Sequence, residues 1–157
     1  MTLALVPGDE LVATSWAASI PGLSAQMVAT QLPADESAWS DNGFVTASVV
    51  GGTPHPNLPL SMPVIRYDCW AVNLSSSKPP WFKASAIANA LKYACWQRTA
   101  IPRLLTITAN GVTYPTAAVR SAVMLIAPRR VYGDAGDAAH YTTDVELVWA
   151  MTGDRLD

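Results

Sequence analysis

Two histidines, two cysteines and one Gly-Asp turn are where this 157-residue sequence offers metal, nucleophilic or acid–base chemistry its most obvious footholds. His55 lies in a proline-rich stretch and His140 near an expected strand start, and neither has a Cys, His or carboxylate at metal-site spacing. Cys69 and Cys95 lack the CxxC spacing of a zinc knuckle and read as buried, reduced thiols, not as a disulfide scaffold. Asp134 and Asp137, in Gly-Asp-Ala-Gly-Asp, look like part of a calcium loop, but the ligand order of an EF-hand and its closing Glu are missing, which favours a solvated turn. There is no GxSxG and no phosphate-cradling glycine loop followed by Lys, and Gly51-Gly52 ends a strand. The expectation is a protein without catalytic, metal or cofactor residues, hence not an enzyme. Acids and bases converging from distant segments are the exception a sequence leaves open.

The rest of the chain must therefore be read for what it folds into and touches. Half of the residues are hydrophobic and 14% are charged, enough apolar material for one core and one domain spanning 1–157. A net charge of -2 removes the bulk basic footprint of a nucleic-acid binder. No window approaches the roughly 18 apolar residues of a membrane span. Met1 to Val6 is too short for a signal-peptide core before Pro7-Gly8-Asp9-Glu10, so synthesis in a cytoplasm and no membrane partner are expected.

The charges are partitioned along the chain. Residues 1–68 carry six acids against Arg66, residues 69–133 carry eight bases and no acid, and residues 134–157 carry six acids against Arg155. If the separation survives folding, basic and acidic regions of neighbouring copies complement each other head to tail, an arrangement that closes into a ring when the rotation allows. If the segments interleave in space, the charges mix on an ordinary solvated surface.

Gly8 to Ser19 reads as an amphipathic helix with Asp9 and Glu10 at the positive end of its dipole, stopped by Pro21-Gly22. Gln26 to Gln31 is ambiguous, and Pro33 to Asn42 is a polar loop. Gly43 to Val50 is the first expected strand. Residues 51–63, with four prolines, form a long stiffened loop that could serve as an arm to a neighbour. Val64 to Asn73 alternates cleanly as a strand. Pro79-Pro80 then starts a helix over about 80–98, with Ala84, Ile87, Leu91, Ala94 and Cys95 on one side and Ser85, Asn89, Lys92 and Trp96 opposite. Phe82 and Tyr93 fall at the margin of that polar side; these aromatics either meet another protein or are covered by a loop of the same chain.

Leu104 to Ala109 and Val112 to Tyr114 flank Asn110-Gly111, a type I′ hairpin signal. Val119 to Val131 suits a central strand, and Thr142 to Met151 alternates as the closing one. The expected architecture is α+β, a single domain with a mostly antiparallel central sheet of about four to six strands, an N-terminal helix and one longer helix packed on it.

The segment Val64 to Arg98 orders its features distinctively: a Val-Ile-Arg-Tyr-Asp-Cys-Trp-Ala strand, a Ser-rich gap, Lys-Pro-Pro-Trp, and a helix of the form Ala-x-x-Ile-Ala-x-x-Leu. This resembles the tail terminator (tail completion) proteins of long-tailed bacteriophages, in particular those of actinobacterial siphophages. The strand ending in Gly51-Gly52 before it and the terminal strand Thr143 to Met151 after it fit the same order. The resemblance implies a structural virion protein of the tail neck, made in the host cytoplasm. It would form a homo-hexameric ring at the head-proximal end of the tail tube, ending tube polymerisation and joining the tail to the head. Its implied partners are its own copies, the major tail tube protein and the head-tail connector or stopper, with DNA passing through the ring and no sequence-specific contact to it. The long uncharged proline loop departs from that pattern. Asp68, Trp70, Pro80 and Trp81 match the recurrent strand and helix-start pattern, with a purely structural junction as their other role.

The candidate subunit or partner contacts are Trp39, Arg66, Asp68, Trp70, Lys78, Trp81, Lys92, Trp96, Arg129, Arg130, Asp134 and Asp137. Two alternatives stand beside the terminator. One is a head-closure or connector-adaptor neck protein of similar size and symmetry. The other, weaker, is a small-ligand module or enzyme whose site gathers His55, His140 and the Gly-Asp loop.

Overall fold

The computed structural model describes residues 3–97, 103–132 and 138–152. Helix α1 (Asp9–Ala18) and helix α2 (Trp81–Trp96) accompany eight strands: β1 (Val28–Ala29), β2 (Phe44–Gly52), β3 (Pro63–Ala71), β4 (Arg103–Leu105), β5 (Thr108–Ala109), β6 (Val112–Thr113), β7 (Ala117–Arg130) and β8 (Ala139–Met151). Six strands form one sheet in the order β1-β2-β3-β8-β7-β4, and β5-β6 is a separate small hairpin. The fold is α+β, as expected. The sheet is mixed, because β1 runs parallel to β2 through Val28↔Val45, while the other pairs are antiparallel.

Alternation builds the core. Ile65, Tyr67 and Cys69 of β3 and Val145, Leu147 and Trp149 of β8 point to one face, where they meet Val12, Ala13, Trp16 and Ala17 of α1 and Ile87, Ala88, Leu91 and Ala94 of α2. Helix α1 lies against β1 and β4, the two ends of the strand order, so the sheet curls around it. Two bonds tie α1 to the sheet: the Tyr67 hydroxyl donates to the Ala13 carbonyl at 2.7 Å, and the Trp149 indole donates to Asp9 Oδ1 at 2.8 Å. Gly43 permits the close passage of α2. At φ +79° a Cβ there would sit 2.5 Å from Ile87 Cδ1 and 2.9 Å from the Trp70 carbonyl oxygen.

Three expectations are corrected and one open stretch is resolved. The run Val119 to Val131 is not a central strand: β8 holds the centre, and among the described residues β7 is covered on its outer side only at Ala117–Val119, by β4. Val123, Leu125 and Ile126 are 48%, 52% and 41% exposed. The sequence there has the apolar density of a strand covered on both faces, but none of the described elements covers it. Leu104 to Ala109 splits, because Arg103–Leu105 joins the main sheet and only Thr108–Ala109 turns through Asn110 (φ 53°) and Gly111 (φ 76°) into β6. The ambiguous Gln26 to Gln31 contains a short helical turn and β1. The proline loop folds back on its own chain: Ser61 and Trp149 exchange backbone bonds of 2.9 and 3.0 Å, and His55 N–H donates to Leu60 O at 2.9 Å.

Candidate functional site

With both helices on one face of the sheet, the other face is left to polar side chains from β2, β3 and β8. Across it runs Ser48↔Arg66↔Asp144, then Thr46↔Asp68↔Thr142, then Phe44↔Trp70↔His140. Arg66 grips Asp144 with two parallel bonds, Nε to Oδ1 at 3.0 Å and Nη2 to Oδ2 at 3.2 Å. That hydrogen bonding, followed by the charge of Asp144, raises the Arg66 pKa further. His140 Nε2 lies 2.7 Å from Asp68 Oδ1, and its ring stacks on Trp70 at 3.8 Å and 13°. Trp70 in turn donates its indole N–H to Thr46 Oγ1 at 3.2 Å. The result is a braced carboxylate–imidazole–indole stack flanked by a bidentate ion pair. Such an arrangement fixes side-chain positions across three strands. Thr142 Oγ1, beside it, is buried with no hydrogen-bond partner among the described residues.

A second cluster closes the far end of the β7–β8 pair. The Arg130 guanidinium carbon sits 4.3 Å from the Trp81 ring centroid and 6.0 Å from those of Tyr132 and Tyr141. Its pKa is raised, first through its hydrogen bond to Tyr141. Trp81 therefore anchors the start of α2 to the sheet edge through a cation held among aromatic rings. Lys83, two residues on, donates to the Ser40 carbonyl at 3.2 Å and to the Asp41 carbonyl, fastening α2 to the loop before β2.

The remaining candidates separate cleanly. Trp39 is 4% exposed, packed on Phe44 and Val72, with its indole bonded to the Pro33 carbonyl, so its own chain covers it. Lys78 is exposed in the loop before α2. Lys92 lies 5.2 Å from the Trp96 ring centroid, and Trp96 is 62% exposed. Arg129 is exposed on β7. Asp134 and Asp137 lie outside the described residues, as does Arg98. Phe82 and Tyr93, placed at a margin by the sequence, are central to the uncovered side of α2, at 88% and 65% exposure.

His55 and His140, which the weaker alternative gathers into one site, are not brought together, and the Gly-Asp loop lies outside the described residues. His55 Nδ1 accepts the backbone N–H groups of Asn57 and Leu58, at 3.1 and 3.0 Å, in a loop against Trp149. His140 is nine residues away along the same strand, roughly 30 Å at strand rise. Among the described residues no three His, Cys, Asp or Glu side chains are placed to hold a metal ion. Cys69 and Cys95 are free thiols. Burial, then the charge of Asp68, pushes the Cys69 thiol far up, and burial pushes Cys95 up to about 11. Among the described residues no helix is long and apolar enough to cross a membrane.

No known protein family matches the chain, and no curated protein does. A solved structure of a protein without a descriptive name aligns with 94% of this chain and 97% of its own at 15% identity. Its TM-score of 0.37 is too low to carry an argument.

What the sequence did not single out are the two open edges of the sheet. Among the described residues, only Val45 and Thr46 of β2 are covered, by β1, which leaves the edge from Ala47 to Gly52 unpaired. On β7, the edge beyond Val119 has no strand partner among the described residues. Val49 and Val50 on the first are 40% and 45% exposed, much like the apolar residues of the second. The signal that could have found them is the apolar run Val123 to Ile126 combined with a β4 of only three residues.

Proposed function

We propose that the protein is a ring-forming neck component of a long-tailed bacteriophage, a tail terminator that caps the tail tube and joins it to the head. The observation that carries this reading is the complementarity of the two open edges. Strands β2 and β7 run in opposite directions, so β7 of one copy can continue into β2 of the next as an antiparallel pair, related by a rotation. Such a contact is head to tail and closes into a ring when the rotation allows.

Charge supports the same pairing. The strands β1, β2, β3 and β8 come from the two acidic segments, and β7 and β4 from the basic one. Arg129 stands in the row Thr142, Asp68, Thr46, and Arg130 in the row Tyr141, Cys69, Val45. Continued into a neighbour, those rows bring the arginines toward the loop that holds exposed Asp35, Glu36 and Asp41. The order of strand, Ser-rich gap, Lys-Pro-Pro-Trp and helix adds the likeness to terminators described above.

The test is electron microscopy of purified tail tubes mixed with the protein, alongside its native mass. The expected result is a discrete ring, most simply six subunits, on one end of the tube. Capping of DNA-filled heads in place of tubes would make it a head-closure or adaptor protein, and a strict monomer that ignores both would refute the reading.

A further inference from the structure

The uncovered side of α2 has a pattern of its own. Phe82, Ala86, Asn89, Tyr93 and Trp96 follow one another at spacings of four, three, four and three residues, and all are exposed. That is the spacing of a helix-pairing seam, a single stripe along one side of the helix. The stripe is also self-complementary about its centre. Laid antiparallel on a second copy of itself, Asn89 meets Asn89, Phe82 meets Trp96, and Ala86 and Tyr93 come level to within one residue, about 1.5 Å. A small residue thus faces a large one, ring faces ring, and one amide pair sits at the middle, where each Asn can satisfy the other's hydrogen-bonding groups.

We infer that the outer face of α2 is a two-fold homodimer seam, with α2 of a second copy as its occupant. The surface suffices for a weak, specific contact. Rings of ~150–250 Å² apiece, at the 88%, 65% and 62% exposures of Phe82, Tyr93 and Trp96, give roughly 900 Å² over both copies. Ala86, Asn89 and the flanking side chains bring this to about 1,200 Å², the low end of specific interfaces. The cations do not oppose it strongly. Lys83 and Lys92 flank the stripe on opposite sides, and in the antiparallel register each lies well away from its own mate, by about 18 and 9 Å along the axis. An acidic partner helix would instead be drawn by those lysines and released by salt, whereas this dimer holds or tightens as salt rises. The inference does not depend on the phage reading.

Disulfide trapping tests it in a Cys95→Ala background, with buried Cys69 left in place. A residue on a two-fold axis meets itself, so Asn89→Cys alone is expected to form a covalent dimer under oxidised glutathione. Ala86→Cys and Tyr93→Cys are expected to cross-link when mixed and not separately. Trp96→Ala should weaken the dimer at least ten-fold by sedimentation while circular dichroism shows an intact fold. A monomer with no cross-link at position 89, or cross-linking confined to the mixture, overturns the inference. Tail-tube capping, measured separately, is left standing by that failure, just as failure to cap leaves the dimer standing.

Discussion

Arg129→Glu is the sharpest probe of the edge-to-edge contact. The residue is exposed on β7, with no side-chain hydrogen bond or ion pair to the described residues, so its reversal leaves the monomer's packing alone. Two unit charges 4–6 Å apart in water attract by about 0.7–1 kcal/mol, and reversing one turns attraction into repulsion, a change of about 1.5–2 kcal/mol per contact. That is roughly a ten- to thirty-fold weakening of each contact at low salt. Screening shortens the Debye length from about 30 Å at 0.01 M to about 3 Å at 1 M, so the variant and the parent should converge as salt rises. Sedimentation velocity over a concentration series at each ionic strength reads this directly. The partner reversal Asp41→Lys alone should weaken assembly similarly, and the double variant should recover most of the loss. Equal assembly of Arg129→Glu and parent at every salt concentration, or a double variant no better than either single, would refute the complementary-edge argument.

Val50→Lys charges the open edge of β2, a device natural sheets use to block strand addition, and should reduce ring formation without lowering the unfolding free energy by more than about 0.5 kcal/mol. A matching loss of fold by circular dichroism would mean that the edge is internal to the monomer. Stability should fall above about pH 9: the Cys69 and Tyr67 pKa values are raised on folding, mainly by burial, so their contribution is complete below the ordinary values near 9 and 10 and is lost as pH climbs toward the folded ones. Each buried group then removes about 1.4 kcal/mol per pH unit, and a urea midpoint constant from pH 8 to 10.5 contradicts this. Thr142→Val should be neutral to stabilising by about 1 kcal/mol, because the Oγ1 it removes is buried and unpaired among the described residues; a lower melting temperature would show that the hydroxyl has a partner. Gly43→Ala should cost about 2–4 kcal/mol in chemical denaturation, from the positive φ and the overlap with Ile87 and the Trp70 carbonyl.

Where one element decides its own burial, the sequence was legible. The alternation of β3, the acid-led α1, the proline-started α2 and the Asn110-Gly111 turn are local patterns, and each emerged within a few residues of its expected place. Errors came where burial depends on what lies next door. Val123 to Ile126 has the composition of a strand with two neighbours, and only the three-residue length of β4 reveals that the second does not reach it among the described residues. The proline loop has the length of an arm, yet one bridge at Ser61 returns it to β8. For the candidate site, Asp68 and Trp70 were singled out without His140 as their shared partner, since a contact spanning 72 residues leaves no spacing to read. Trp39 looked like a surface aromatic because the Phe44 and Val72 that cover it come from β2 and the end of β3.

Edge and helix place different symmetry demands on the same molecule. A β7-to-β2 contact joins unlike surfaces and generates rotation about one axis, whereas an α2 seam joins like surfaces across a two-fold. If only the edges act, the oligomer closes as one ring and its subunit count is unrestricted. If only the seam acts, assembly stops at two. If both act at once, rings must stack back to back in dihedral symmetry, and every closed species contains an even number of subunits with one face of each ring hidden. A tail tube engaging one face of a single ring meets no such restriction, so the tube-bound and free assemblies can differ in symmetry. Disulfide-locked Asn89→Cys dimers presented to tail tubes then separate the cases: rings that still cap leave the α2 faces pointing away from the tube, and loss of capping places tube and seam on the same face.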